Sequence, residues 1–317
     1  MVDAPAPPGR PEPQMQAVLD RLALARAGQR SRYELPFPEA RALLLREREP
    51  WLADGPACAH HERAVQRAGR RFSVHVVEPA STSPSRLLVY LHGGGWCVGS
   101  SRTHDGVVRR LADGLGCVAW SVDYALAPEA PFPQGLLDVV AAIELAAREH
   151  PGARLIVAGD SAGANLALDA ALRLRERGTP AIGALLLFYG VYTDACDDAS
   201  MAAYGDGRYG LSIQAHRRYL EAYRGAASID FALSNAVSLA GLPPVWLTVA
   251  ELDILREQSH ALATRLRATQ VAVQVDEVPG VIHGFLAYGL MLDAANAALA
   301  RAAAWARAGL AEPRGSP

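Results

Sequence analysis

The chain has 317 residues, of which 50% are hydrophobic and 20% are charged, as is typical of a globular protein with a large core. The formal net charge of -2 gives no reason to expect a nucleic-acid partner or an anionic membrane surface. All 31 basic residues are arginine, which excludes Schiff-base chemistry on a lysine and a P-loop lysine.

The four cysteines are Cys58, Cys97, Cys117 and Cys196, and none lies at Cys-x-x-Cys spacing. We therefore expect neither a zinc cluster nor a disulfide framework. The first residues lack a basic segment followed by an apolar run, and no stretch of about 18 apolar residues suggests a membrane span. Free thiols are usual in a reducing compartment, so the sequence predicts a cytoplasmic protein.

The N-terminal part of the chain is expected to lie outside the main fold. Residues 1–13 are rich in proline and are predicted to be a disordered tail. Helical spacing of apolar residues predicts helices over 15–27 and 38–52. Residues 14–55 precede the first predicted strand and could either cover an active-site mouth, as part of a cap, or pack on an edge of the fold, ahead of a catalytic domain formed by residues 56–317.

Strand and helix patterns alternate along the rest of the chain. Strands are predicted at 72–77, 86–91, 117–122, 154–158, 184–188, 245–249 and 271–278, with helices at 107–115, 136–149, 162–177 and 254–268. This alternation predicts an α/β fold with a mostly parallel sheet covered by helices on both faces. The arginines of 63–71 are interpreted as a solvated face. Residues 193–235 interrupt the rhythm with a long polar insertion that is predicted to be helical in its later part, and this insertion could form a lid, or cap, together with the N-terminal helices.

The sequence Gly159-Asp-Ser-Ala-Gly163 lies between a predicted strand and a predicted helix. This is the context of a nucleophile elbow, in which a serine stands on a sharp turn above the sheet, and Ser161 is the candidate nucleophile. The two glycines allow a turn that is too tight for side chains. The helix that begins at Ala162 directs free N–H groups at the serine oxygen, which favours an anion there.

Three consecutive glycines follow His92 at the end of the strand predicted at 86–91. Such a run is costly in chain entropy and indicates close backbone approach to a ligand. The N–H groups of Gly93 and Gly94, with that of Ala162, are the predicted oxyanion hole. His92 is expected to hold this loop by hydrogen bonds rather than to act as a base.

The remaining catalytic groups are expected after late strands. Asp253 follows the strand at 245–249 and precedes a helix, so it is the candidate acid, although Asp is also a common helix N-cap. Glu251 and Glu257 are the alternatives. His283 follows the last predicted strand and is the candidate base. The order Ser161, Asp253, His283 is that of an α/β-hydrolase, whose acyl-enzyme mechanism needs no metal or organic cofactor.

Five motifs in this order resemble the hormone-sensitive-lipase-like branch of the α/β-hydrolases. They are His92–Trp96, Asp123–Glu129, Gly159–Asn165, Glu251–Arg256 and His283–Phe285, and the resemblance covers residues 70–305. Within the branch, Phe188–Tyr192 and Phe285–Gly289 are similar to bacterial acetyl esterases. The resemblance implies carboxylester hydrolysis with short acyl chains, and a cap built from N-terminal helices. One departure is Ala125, where the family usually has arginine, and the role of that loop is left open.

We therefore predict a serine carboxylesterase that hydrolyses short-chain, acetyl-like esters, with a small-molecule ester as its partner. Candidate substrate contacts are Trp96, Tyr124, Asp160, Tyr189, Tyr192, Ile282 and Phe285. An amide or formamide hydrolase with the same triad is an alternative. A non-catalytic binding protein of this fold is a third reading, which the presence of His283 disfavours. A homodimer is left open, because the apolar segment 290–310 could pack on the sheet or form a dimer face.

Overall fold

An eight-stranded sheet runs through the computed structural model, which describes residues 9–53, 55–67, 69–178, 182–234 and 237–310. Its strands are β1 (Cys58–Arg67), β2 (Arg70–Pro79), β3 (Arg86–Leu91), β4 (Val118–Asp123), β5 (Arg154–Asp160), β6 (Ile182–Phe188), β7 (Val245–Leu252) and β8 (Val273–Ile282). Their spatial order is β1-β2-β4-β3-β5-β6-β7-β8. Among the pairings of the described strands, β1–β2 and β2–β4 are antiparallel and the others are parallel. The predicted mostly parallel sheet is confirmed.

Most of the helices pack against strands of this sheet. The described helices are α1 (Pro13–Arg26), α2 (Phe37–Arg48), α3 (Asp105–Leu115), α4 (Gln134–Glu149), α5 (Ala162–Arg177), α6 (Ala199–Tyr204), α7 (Ile213–Arg224), α8 (Arg256–Ala268) and α9 (Asp293–Gly309). Helix α3 packs with α9, and α4 packs with α5. Helix α3 ends at Gly116, whose φ of 60° is the left-handed conformation that glycine adopts without strain. No helix in the described ranges is both long enough and apolar enough to cross a membrane.

The first strand was not predicted. In β1 only Val65 is buried, and its polar residues lack the alternation by which a strand is recognised. Charged side chains of this kind are common on an edge strand, where they prevent pairing with other chains. The interpretation of 63–71 as a solvated face is wrong for Arg70, whose guanidinium donates to the fully buried carboxylate of Asp138.

The start of α1 is joined to the last strand of the sheet. Residues 1–8 of the expected disordered tail lie outside the described residues, whereas residues from Gly9 onward are placed. The Glu12 side chain accepts a hydrogen bond from the N–H of Met15 at 2.9 Å and so caps α1. The N–H of Glu12 donates to the carbonyl of Gly280 in β8 at 3.0 Å. The first helix therefore depends on the last strand for its anchor.

The connection between α1 and α2 packs against α7, which lies in the segment expected to be an insertion. The ring of Tyr219 in α7 lies 6.1 Å from the rings of both Tyr33 and Phe37. Arg218 donates to the carbonyl oxygens of Tyr33 and Leu35. Residue 235, the last of the expected insertion, lies outside the described residues. The two expected cap segments thus contact each other directly.

The apolar C-terminal segment packs within the chain. Its buried face consists of small side chains, among them Ala298, Ala302 and Ala306, and it lies against α3. Small side chains allow the two helices to approach closely. Residues 290–310 were expected either to pack on the sheet or to form a dimer face. The structure shows this face of α9 packed within the chain, against α3, β7 and β8.

Candidate active site

Ser161 lies where β5 turns into α5. Its backbone has φ 53° and ψ -120°, which a residue with a side chain adopts only when the surroundings enforce it. A Cβ atom on Gly159 would lie 2.4 Å from the carbonyl oxygen of Gly163, and one on Gly163 would lie 2.0 Å from that of Leu91. The turn therefore needs glycine at both positions.

The structure brings Ser161, His283 and Asp253 into one hydrogen-bonded chain. Nε2 of His283 lies 2.9 Å from Oγ of Ser161, and Nδ1 lies 2.7 Å from Oδ2 of Asp253. The Asp253 carboxylate is buried, and its Oδ1 accepts a hydrogen bond from the N–H of Leu255 at 3.0 Å. Asp253 thus orients the imidazole and also holds the turn before α8. This is the geometry of a nucleophile, a base and an orienting acid.

The two alternative acids are used elsewhere. Glu251 accepts a hydrogen bond from the N–H of Gly280 through Oε2 at 2.7 Å. Glu257 accepts one from the N–H of Ser200 at 3.1 Å. Both therefore hold backbone segments in place, whereas Asp253 reaches the imidazole of His283.

The glycine loop after β3 requires one correction. The N–H of Gly93 donates to Oδ1 of Asp160 at 2.9 Å, so it is not free to bind an oxyanion. Among the described residues, the N–H groups of Gly94 and Gly95 have no hydrogen-bond acceptor, and both glycines line the same cavity as Ser161. The N–H of Ala162 lies in the first turn of α5, where the helix supplies no acceptor. The available donors are therefore those of Gly94, Gly95 and Ala162.

Asp160, a predicted substrate contact, lies on the cavity wall with its carboxylate already engaged. Oδ1 accepts hydrogen bonds from the hydroxyl of Tyr90 at 2.8 Å and from Gly93, and Oδ2 lies 3.5 Å from Nε2 of His104. Burial alone would raise the pKa of this carboxyl. The charge of His104 and the hydrogen bonds from His104, Tyr90 and Gly93 outweigh burial and hold the pKa at about 2. Asp160 is therefore a carboxylate that positions the glycine loop.

The triad opens into a cavity of about 750 Å³. One wall carries Ser161, His283 and the glycine loop. The opposite wall comes from α1, α2, the segment that joins them, and the region around α7. The volume lies in the range of small-molecule binding sites.

The predicted substrate contacts separate into two groups. Trp96 and Ile282 line the cavity. Tyr124, Tyr189, Tyr192 and Phe285 are buried and are not among the described residues that line the cavity, so their contact with substrate stays a prediction. Tyr124 stacks on His92 and donates to its carbonyl oxygen at 2.7 Å, which supports the structural role expected for His92. Tyr189 packs edge-on against the His283 ring, with 5.1 Å between centroids. These aromatic residues support the catalytic loops from behind.

Several lining residues were not predicted from the sequence. They include Leu44, Arg48, Tyr33, Tyr209, His216, Tyr219 and Tyr288. Burial, and next the charge of His283, lower the pKa of His216 to about 4, so this imidazole is neutral at neutral pH. Most of these residues belong to the N-terminal and α7 segments. No motif marks them, because they reach the cavity only through the docking of those segments.

Comparison with known proteins agrees with this geometry. The model of the family described as alpha/beta hydrolase fold matches residues 88–287. Acetyl esterases of Salmonella schwarzengrund (strain CVM19633) and of Salmonella typhi are each 34% identical to the chain over 285 residues. These alignments cover 86% of this chain and 88% of each relative.

Solved esterase structures share the fold. A thermostable esterase from Pseudomonas putida ECU1011 superposes with a TM-score of 0.88 at 31% identity, over 97% of this chain and 100% of that one. A hyperthermophilic esterase from Pyrobaculum calidifontis gives a TM-score of 0.87 at 29% identity, over 95% of this chain and 100% of that one. The chain therefore belongs to the α/β-hydrolase fold family, in its hormone-sensitive-lipase-like branch.

Proposed function

We propose that the protein is a serine carboxylesterase that hydrolyses short-chain, acetyl-like esters of small molecules. The observation that carries this proposal is the chain of hydrogen bonds from Ser161 through His283 to Asp253, at 2.9 and 2.7 Å. The preference for acetyl-like groups is supported by the acetyl esterases that are 34% identical. An amide or formamide substrate is less favoured, because the named relatives are esterases.

Acylation follows from the positions of these groups. Neutral His283 removes the proton of Ser161 through Nε2 as the serine oxygen attacks the acyl carbonyl. Asp253 accepts the hydrogen bond from Nδ1 and stabilises the imidazolium that forms. The C–O bond to the alcohol then breaks, His283 returns the proton to the leaving oxygen, and an acyl-enzyme remains. Water attacks this ester by the same route and regenerates Ser161.

The oxyanion hole in this proposal consists of the N–H groups of Gly94, Gly95 and Ala162. All three lack an acceptor within the described residues, whereas the N–H of Gly93 is used by Asp160. A Cβ atom on Gly94 would lie 2.0 Å from the carbonyl oxygen of Val98, so the loop tolerates no side chain there. One such donor contributes about 2.7–4 kcal/mol to transition-state stabilisation in a well-studied protease.

We also propose that the helices of residues 14–55 and the 193–235 segment act together as the cap. The support is that both line the cavity and that they contact each other through Tyr33, Phe37 and Tyr219. A cytoplasmic location is proposed on the four free thiols, which suit a reducing compartment. The absence of a nucleic-acid partner rests on the net charge, and a homodimer stays a prediction for size-exclusion measurements.

The test is hydrolysis of 4-nitrophenyl esters from acetate to dodecanoate by the wild type and by Ser161→Ala. We expect activity to peak between acetate and butyrate and to vanish in the variant, whose circular dichroism should match the wild type. A peak at long chains would keep the mechanism and refute the acyl preference. Turnover that survives in Ser161→Ala would refute the nucleophile. Amide turnover without ester turnover would favour the alternative.

A further inference from the structure

Three metal-ligating side chains converge at the protein surface, outside the cavity described above. His60 lies on β1, His75 on β2, and Asp105 is the first residue of α3. Nδ1 of His60 is 3.0 Å from Nε2 of His75 and 3.6 Å from Oδ1 of Asp105. Nε2 of His75 is 4.0 Å from the same oxygen. The three ligand atoms thus form a small triangle.

The pairing of the edge strands creates this arrangement. His75 lies opposite Glu62 in the β1–β2 register, and His60 is two residues from Glu62 along β1. Residues two apart in a strand point to the same face, so His60 and His75 are diagonal neighbours on one face of the hairpin. Helix α3 packs on β2 and brings the Asp105 carboxylate to that face. The sequence analysis predicted no metal site, because it considered only the spacing of the cysteines. His60, His75 and Asp105 are distant from one another in sequence, so cysteine spacing could not reveal them.

The spacing fits a tetrahedral ion. Zinc bonds of about 2.0–2.1 Å place neighbouring ligand atoms about 3.3 Å apart, within the range of the three separations seen here. Oδ1 of Asp105 is buried and has no hydrogen-bond partner among the described residues. Its Oδ2 accepts a hydrogen bond from Nε of Arg109 at 2.8 Å, which orients the carboxylate. The oxygen that faces the two imidazoles is therefore the one that lacks a donor.

We propose that His60, His75 and Asp105 bind one Zn²⁺ ion, with water in the fourth position. Imidazole and carboxylate are ordinary zinc ligands, and a single oxygen ligand disfavours Mg²⁺. The ion links β1, β2 and the start of α3, and its binding stabilises the folded chain. Without zinc, a direct hydrogen bond between the two rings would account for their 3.0 Å separation.

Titration calorimetry with ZnCl₂ on protein freed of any affinity tag tests this site. We expect one Zn²⁺ per chain and a rise in Tm of about 4 °C at a hundredfold excess of free zinc over Kd. His75→Gln and His60→Gln should each abolish both effects. His61→Gln is the matched control, because His61 is exposed on the other face of β1 and should bind like the wild type. MgCl₂ should give no shift.

Zinc binding to His75→Gln with wild-type stoichiometry and affinity would overturn the proposal, since the ion would then lie elsewhere, for example at the triad histidine. Absence of zinc binding to the wild type would also overturn the proposal, because the hydrogen bond between the His60 and His75 rings would then explain the cluster on its own. Neither readout depends on esterase activity, so the test stands apart from the proposed function.

A different observation concerns the catalytic cavity. Arg48, in the last turn of α2, lines it, and its Nη1 is buried without a hydrogen-bond partner among the described residues. The guanidinium lies over the Tyr288 ring at 5.1 Å. Its Nη2 lies 3.9 Å from the place of a Cβ atom on Gly284, the residue after His283. A cation with an unused donor therefore lies beside the catalytic base.

The other arginines on the cavity wall have partners. Arg26 and Arg32 both pair with Glu47. The remaining two, Arg208 and Arg218, donate to backbone carbonyl oxygens. The wall also carries acidic side chains, of which Asp20 accepts from Gln16 and Asp206 from the N–H of Arg208. Among the described arginines of the cavity wall, Arg48 is therefore the one whose Nη1 is buried without a hydrogen-bond acceptor.

We infer that Arg48 binds a carboxylate of the substrate, so the preferred esters carry an acidic group. This rests on the proposed esterase function and narrows its substrate class. A buried donor without an acceptor is costly, and a bound carboxylate removes that cost through a charge-assisted hydrogen bond. The carboxylate belongs either to the acyl part or to the alcohol part of the ester, and the same guanidinium serves both.

Two pairs of esters test the inference. Monoethyl succinate is compared with diethyl succinate for an acyl-side charge, and 4-acetoxybenzoate with its methyl ester for an alcohol-side charge. In Arg48→Gln, kcat/KM on one charged ester should fall about 10- to 100-fold more than kcat/KM on its neutral partner. Arg46→Gln is the control, because Arg46 is exposed on the same helix and does not line the catalytic cavity.

An equal loss on charged and neutral esters would show that Arg48 acts through Tyr288 and the fold, and would overturn the inference. So would charged esters that Arg48→Gln hydrolyses as fast as the wild type. Wild-type turnover of the neutral esters reports on the esterase function independently, which separates failure of this inference from failure of the proposed function.

Discussion

Asp160 and Gly93 join the nucleophile elbow to the glycine loop, with 2.9 Å between the Asp160 Oδ1 and the Gly93 nitrogen. Asp160, the residue before the nucleophile, therefore sets the position of the glycine loop. In that loop the N–H groups of Gly94 and Gly95 have no acceptor among the described residues. A Cβ atom on Gly93 would lie 2.4 Å from the Asp160 Oδ2, so a side chain at position 93 would clash with the carboxylate. The nucleophile and the oxyanion donors are held in one unit.

Asp160→Asn tests this coupling. We expect kcat to fall about 10²-fold with KM changed less than about 2-fold, because the displaced donors act on the transition state. The folded pKa of about 2 lies below the unfolded value, so the carboxylate's contribution to stability is complete above about pH 4 and is lost as pH falls through about 2. Tyr90→Phe removes one donor to the same oxygen and should have a smaller effect. A rise in KM with unchanged kcat would instead indicate substrate binding by Asp160.

Asp253→Asn separates the acid from its nearest alternative. The amide keeps an oxygen for the Leu255 N–H but disfavours the proton on Nδ1 of His283, so kcat should fall on the order of 10³- to 10⁴-fold. Glu251→Gln is the comparison, since Glu251 holds only the N–H of Gly280. Its kcat should remain within about tenfold of the wild type. Equal losses in the two variants would refute the assignment, and steady-state kinetics on one ester decides.

Arg70→Ala should destabilise the fold. It removes the partner of Asp138, whose carboxylate is fully buried and also accepts from the N–H of Ala125 at 2.9 Å. An unpaired buried charge costs about 3–5 kcal/mol, to be measured as the free energy of unfolding in urea. Arg71→Ala is the matched control, because Arg71 is exposed, and it should lie within about 0.5 kcal/mol of the wild type. Similar values for the two variants would show that the ion pair contributes little.

Asp169 should make stability depend on pH. Burial raises its pKa to about 7, against the lowering effects of the Asn165 hydrogen bond and the Arg173 charge. The folded pKa of Asp169 exceeds its unfolded value, so the protonated carboxyl is the form that the fold favours. Its contribution to stability is complete below about pH 4 and is lost as pH rises through about 7. Asp169→Asn should remove this part of the profile. Urea unfolding from pH 4 to 8 measures it, and parallel profiles for the two proteins would contradict the prediction.

The sequence identified the residues that are fixed by local geometry and chain order. The elbow around Ser161 has a strand before it and a helix after it, and the ends of parallel strands meet at one edge of the sheet. That rule was enough to place Asp253 and His283 near the serine. The roles of the three residues could therefore be predicted from their order along the chain.

What the sequence missed depends on contacts between distant residues. Which glycine N–H is free was decided by the side chain of Asp160, and no pattern within the glycine run reveals it. The wall formed by Tyr33, Arg48 and Tyr219 exists only because the N-terminal helices dock on α7. Strand β1 was missed because a polar edge strand lacks the alternation that marks a half-buried one.

The hydrogen bond from Glu12 to Gly280 spans nearly the whole chain and sets an order for biosynthesis. The first helix leaves the ribosome early, but its anchor on β8, and its contact with Asp293 through Gln14, are made last. Until β8 and the loop after it are synthesised, α1 lacks this anchor and Ser161 lacks its base. A nascent chain that ends before His283 therefore carries a serine elbow without a general base, and hydrolysis by this triad requires a nearly complete chain.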